Sequence, residues 1–111
     1  MMNERRRVHR FLFEAPVELT KAESLASIMS VTGDIGVFGC FVKTALSFPK
    51  GSKVKLRITQ QGRTFSATGE VLYVVTNEGM GIAYGELAAK DYALLQEWLA
   101  EQNTEPVLLR R

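Results

Sequence analysis

Residues 53–59 (K-V-K-L-R-I-T) alternate charged and aliphatic side chains without a break. That period of two is the pattern of a strand with one face on a core and the other in water. The same alternation, less strict, runs through residues 13–20, where Pro16 favours an edge or the start of the strand. Further short apolar runs at 25–32, 40–44, 65–75 and 80–84 predict four more strands. Turn signals separate them: Phe48-Pro49-Lys50-Gly51, Gln61-Gly62 and Asn77-Glu78-Gly79. Residues 33–39, with three glycines in seven positions, predict a loop that needs positive φ angles or close backbone approach. Gly69, inside the fifth run, predicts a bulge or a bend.

The period then changes. From residue 88 to 102, Ala88, Tyr92, Leu95, Trp98 and Leu99, with Leu94 beside them, fall on one helical face. Lys90, Asp91, Glu97 and Glu101 fall on the other. Six short strands followed by one helix predict an all-β fold: a six-stranded antiparallel β-barrel with a C-terminal α-helix packed on it. Closure removes exposed strand edges. The helix should plug an open end of the barrel, with Trp98 as its anchor. The expected organisation is a basic, flexible N-terminal arm at 1–12, the barrel and helix at 13–102, and a frayed tail at 103–111.

Composition sets bounds on function. A chain of 111 residues has room for one domain and one core. No apolar run approaches the length that spans a bilayer, so no membrane insertion is expected, and the N-terminus lacks the apolar segment of a signal peptide. The single cysteine, Cys40, fits a reducing, cytoplasmic setting and reads as a small core residue. The only histidine, His9, stands alone, so no metal-ligand spacing exists. No nucleophile sits in a G-x-S-x-G context and no phosphate loop occurs. The chain is therefore not expected to be an enzyme or to carry a cofactor.

Charge supplies the remaining signal. The net charge is only +2, yet Arg5, Arg6, Arg7 and Arg10 crowd into six residues. On charge alone this run is equally a solvated leader or an arm for an anionic partner. Arginine forks onto phosphate and onto the O6/N7 edge of guanine. The second feature is Asp34-Ile35-Gly36-Val37-Phe38-Gly39, an acidic residue followed by a glycine-rich turn. A carboxylate repels phosphate, so beside a phosphate site it must face a donor. The N1–H and amino edge of guanine is such a donor. Arginines, an aspartate and glycines that let backbone approach thus fit a guanine nucleotide better than a generic polyanion.

These residues and their spacing resemble the PilZ domain family, receptors for the bacterial second messenger cyclic di-GMP. The family's R-x-x-x-R is matched by Arg6 and Arg10, and its [DN]-x-[SA]-x-x-G by Asp34 and Gly39. Gly39-Cys40-Phe41-Val42, Phe48-Pro49-Lys50-Gly51, Gly69-Glu70-Val71 and Gly79-Met80-Gly81-Ile82 resemble the family's remaining strand and turn motifs, so the likeness spans about residues 4 to 101. The resemblance implies a cyclic di-GMP site at Arg5, Arg6, Arg10, Asp34, Gly36 and Gly39, with Arg5 as an extra contact. It departs at Gly36, where the family has Ser or Ala. A missing serine hydroxyl there costs about 0.5–1.5 kcal/mol, up to roughly tenfold in affinity.

The resemblance further implies that ligand binding orders the arm and that an unidentified downstream protein, or a homodimer, reads the change. The alternative is a PilZ-like adaptor that binds no nucleotide and acts by protein–protein contacts. Binding of single-stranded nucleic acid is not expected. It calls for aromatics along a basic groove, and only Tyr73 and Tyr84 are candidates for outward positions.

Overall fold

The computed structural model describes residues 10–24 and 26–102. Seven strands and one helix follow in order: β1 (Arg10–Leu12), β2 (Pro16–Lys21), β3 (Ser27–Gly36), β4 (Gly39–Lys43), β5 (Lys53–Gln60), β6 (Arg63–Val75), β7 (Gly79–Tyr84) and α1 (Ala89–Gln102). Every pairing is antiparallel, in the order β3-β2-β5-β6-β7-β4, and β4 returns to β3. Six strands therefore close a barrel, as the alternation predicts. The short β1 is additional and pairs with β3 alone. It occupies the last residues of the segment read from sequence as an arm. Pro16 begins β2, the position where a missing N–H costs the ladder least.

β3 organises the whole. Its first half pairs with β2 and its last three residues pair with β1, while residues 31–35 pair with β4 on the other side. β1 and β2 are thus two stretches of one antiparallel partner, joined by residues 13–15. A buried hydroxyl stitches that joint. Thr32 Oγ1 accepts the Ala15 N–H at 3.1 Å and donates to the Phe13 carbonyl. Thr32 N–H donates to the Ala15 carbonyl at 2.9 Å, and Phe13 N–H to the Gly33 carbonyl at 3.2 Å.

The expected loop at 33–39 is instead strand as far as Gly36, with only Val37 and Phe38 between β3 and β4. None of Gly33, Gly36 and Gly39 has a positive φ. Close approach is the reason for glycine at 39. A Cβ there would stand 2.1 Å from the Ile82 carbonyl oxygen. Gly33 lies where the β3–β4 register shifts by one residue, between Thr32 and Asp34. The bulge expected at Gly69 lies three residues later, between Val71 and Tyr73. Gly69 itself stays in register, and a Cβ on it would meet the Ala83 carbonyl oxygen at 2.6 Å.

Phe13, Ala15, Val17 and Leu19 from one side and Val54, Leu56 and Ile58 from another fill the barrel interior. α1 closes it through Leu94, Leu95, Trp98 and Leu99. The Trp98 ring sits 5.1 Å from Phe13 and 6.2 Å from Phe65, the anchoring role expected of it. Two residues of α1 depart from the periodic reading. Asp91 is buried, because its Oδ1 accepts the Ser66 N–H of β6 at 2.9 Å. Tyr92, one position on, turns outward. Cys40 is fully buried, and burial pushes its thiol up to about 12.

Two outcomes follow. Thr32→Val keeps the shape but strands the buried Ala15 N–H and Phe13 carbonyl, so stability should fall by about 1–3 kcal/mol. Thermal unfolding should show it at roughly 4–8 °C per kcal/mol, and an unchanged Tm would mean that water replaces the hydroxyl. Cys40 should resist a thiol-specific disulfide reagent at pH 8 in the folded protein and react promptly in denaturant. Fast labelling of the native chain would contradict its place in the core.

Candidate functional site

The bulge at Gly33 decides where Asp34 points. Up to that position the inward residues of β3 are Ile28, Ser30 and Thr32, while Met29 and Val31 face out. Continued alternation would send Asp34 into the barrel. The extra residue reverses the parity, so Ile35 is buried and Asp34 emerges on the outer face. Lys43 of β4 crosses Gly33, its Cε 3.3 Å from where a Cβ would stand, and pairs with Glu14. The Lys43 ammonium holds the exposed Glu14 carboxyl below its ordinary value, through a hydrogen bond and its charge.

β1 brings Arg10 to the same face. Arg10 stands opposite Gly36 and Leu12 opposite Asp34. From there the guanidinium reaches back, and its Nε–H and Nη2–H both donate to Asp34 Oδ1, at 3.0 and 2.7 Å. Partial burial works against the Arg10 charge, but the hydrogen bond and charge of Asp34 outweigh it and raise its pKa. Both side chains remain about one-third exposed. Because the fork closes on one oxygen, Asp34 Oδ2 accepts no hydrogen bond among the described residues.

Of the six residues proposed from sequence, Arg10, Asp34, Gly36 and Gly39 therefore lie on β1, on the end of β3 and on the start of β4, with Arg10 and Asp34 in direct contact. Arg5 and Arg6 lie outside the described residues. Beneath Arg10 and Asp34 the core holds two further groups that sense their charges, Cys40 and Tyr84. The Tyr84 hydroxyl is buried without a well-formed hydrogen bond, and burial drives its pKa upward. Tyr84 is thus partly buried against the core, its ring edge-on to Phe65 at 5.1 Å, and does not take the outward position weighed for it from the sequence.

Aromatic neighbours were not part of the sequence-derived site. On β4, Phe41 stands directly opposite Asp34. Next across the sheet is Gly81 of β7, and next again Tyr73 of β6. A row of outward positions thus runs Leu12, Asp34, Phe41, Gly81, Tyr73. Tyr73 is 44% exposed, and its ring lies near-parallel to that of Phe41, with centroids 6.3 Å apart at 28°. Only the shift of register at Leu72 puts Tyr73, and not Leu72, opposite Gly81, which is why alternation alone does not reveal the row.

The fold matches solved structures. The PilZ domain of CeSA from a cellulose-synthesizing bacterium is 20% identical, with a TM-score of 0.62 over 76% of this chain and 87% of that one. The Bacillus subtilis inhibitor of motility MotI/DgrA is 24% identical, with a TM-score of 0.72 over 89% of this chain but 52% of that one. The PilZ domain of Escherichia coli YcgR, solved with c-di-GMP, is 12% identical, with a TM-score of 0.72 over 90% of this chain and 92% of that one. A search of curated proteins gave no match. The family model of the PilZ domain matches residues 4–101, nearly the whole length. With its closed barrel, its capping helix and that match, the chain belongs to the PilZ domain family.

Proposed function

We propose that this PilZ domain is a receptor for cyclic di-GMP and that Arg10 and Asp34 form the barrel-side half of its binding site. The supporting observation is their contact on one outer face. A guanidinium and a carboxylate offer opposite chemistries within a few ångströms of each other. Asp34 Oδ2, the oxygen that Arg10 does not engage, has two lone pairs and accepts from the N1–H and amino group of a guanine. Arg10, held beside Asp34, offers its remaining N–H donors to the same base or to a phosphate. The family membership and the neighbour solved with c-di-GMP point to the same ligand.

The ion pair also sets a limit. Asp34 neutralises much of the Arg10 charge, so a dianionic ligand needs further cations. Arg5 and Arg6, just ahead of β1 in the chain, supply them in this reading. Closure of that leader over the ligand creates a new surface for a downstream protein. Gly36 contributes no hydroxyl, so in this reading the affinity lies up to about tenfold below that of a serine-bearing site.

Titration calorimetry with cyclic di-GMP tests the assignment. Wild type should bind, and Arg10→Ala and Asp34→Ala should each weaken binding roughly tenfold or more, as for loss of charge-assisted hydrogen bonds. Gly36→Ser should tighten it by up to about tenfold. Stability is the control. The Arg10–Asp34 pair, about one-third exposed, contributes about 0.2–1 kcal/mol, so Arg10→Ala should barely move Tm. No heat with wild type at high micromolar ligand would reject the receptor and leave a protein-contact adaptor.

A further inference from the structure

We propose that Tyr73 is a base-stacking residue of this site, seating the guanine whose edge Asp34 holds. The inference rests on the receptor reading above and goes beyond its arginine and aspartate contacts. Three strand steps of about 4.8 Å separate the backbones of Asp34 and Tyr73. The Tyr73 ring recovers part of that span by folding back over Gly81. A Cβ on Gly81 would stand 2.3 Å from Tyr73 Cε2, 2.4 Å from Cζ and 2.8 Å from the hydroxyl oxygen. Glycine at 81 is therefore what allows the ring to lie down against the barrel. Between that ring and Asp34 stands Phe41, half-buried and near-parallel to Tyr73.

The result is a flat apolar strip that begins at a carboxylate. A planar purine fits such a strip in one way, with its donor edge toward Asp34 and its face on the aromatic rings. Arg10 completes the surround. Tyr73 contributes to the upward shift of the Arg10 pKa, behind Asp34, so the two side chains share one face of the barrel. Base-on-aromatic stacking tolerates any base, so Tyr73 supplies affinity while Asp34 supplies the choice of guanine.

The pairing of an aromatic ring with a cross-strand glycine also shields the sheet. The test must therefore separate binding from stability. Cyclic di-GMP is titrated into the full chain carrying Tyr73→Ala, Tyr73→Phe or Gly81→Ala, with Tm measured for each. Tyr73→Ala should weaken binding by roughly 5- to 150-fold, the range found when a stacking aromatic is truncated. Tyr73→Phe should bind within about twofold of wild type, because it keeps the ring. Gly81→Ala leaves Tyr73 in the chain but lifts its ring, and should weaken binding in the same direction.

Wild-type affinity in both Tyr73→Ala and Gly81→Ala overturns the role of Tyr73. So does a Tyr73→Phe loss as large as that of Tyr73→Ala, since the hydroxyl and not the face would then be at work. If Arg10→Ala weakens binding while both aromatic-row variants do not, the receptor reading stands and only this inference falls. A wild-type chain that binds no cyclic di-GMP overturns both.

Discussion

One extra residue in β3 is the constraint on which the site depends. A barrel strand has no freedom over which face its side chains take, because the core fixes the parity along its length. Ile28 and Thr32 point inward before Gly33, and Ile35 points inward after it. Two inward sets of opposite parity cannot share one strand unless a bulge separates them. Gly33 is that bulge, and Asp34 is the first side chain to follow it. The carboxylate reaches solvent for the same reason that Ile35 reaches the core. Lys43 and Glu14, paired across the glycine, cover the irregular backbone from outside.

The second determinant is the continuity of β1 with β2. A three-residue strand has little stability of its own. β1 persists because Phe11 packs against the core and because Thr32 ties residues 13–15 to β3 with a buried hydroxyl. The exposed ion pair adds little to that anchoring. Its contribution is geometric, since it holds the guanidinium over the face that Asp34 occupies. Stability and recognition are thus carried by different residues within the same short stretch. Thr32 and Phe11 hold it down, and Arg10 and Asp34 remain available to a ligand.

Much of this was legible in the chain. The unbroken alternation of β5 and the helical spacing of Leu95, Trp98 and Leu99 each identify an element and its buried face. Closure of the barrel follows from the number of short strands and their turns. Misreadings arose where a long-range partner overrides local pattern. Asp91 looks solvent-facing until the Ser66 N–H of a distant strand claims it. Residues 33–36 look like a loop because glycine serves loops and bulges alike, and only pairing with β1 and β4 distinguishes them. At the site, the motif spacing nominated Arg10 and Asp34. Tyr73 required the register across three strands and the bulge at Leu72, neither of which is written locally.

Closing the barrel leaves β1 outside the ring. Among the described residues it pairs with β3 alone, while every other strand is flanked on both sides. β1 is only three residues long, and a very short outer strand is poorly able to recruit another chain. Such a brief ladder is too short to template runaway strand addition. The barrel thus carries Arg10 on its outermost strand without the self-association hazard that longer margins carry.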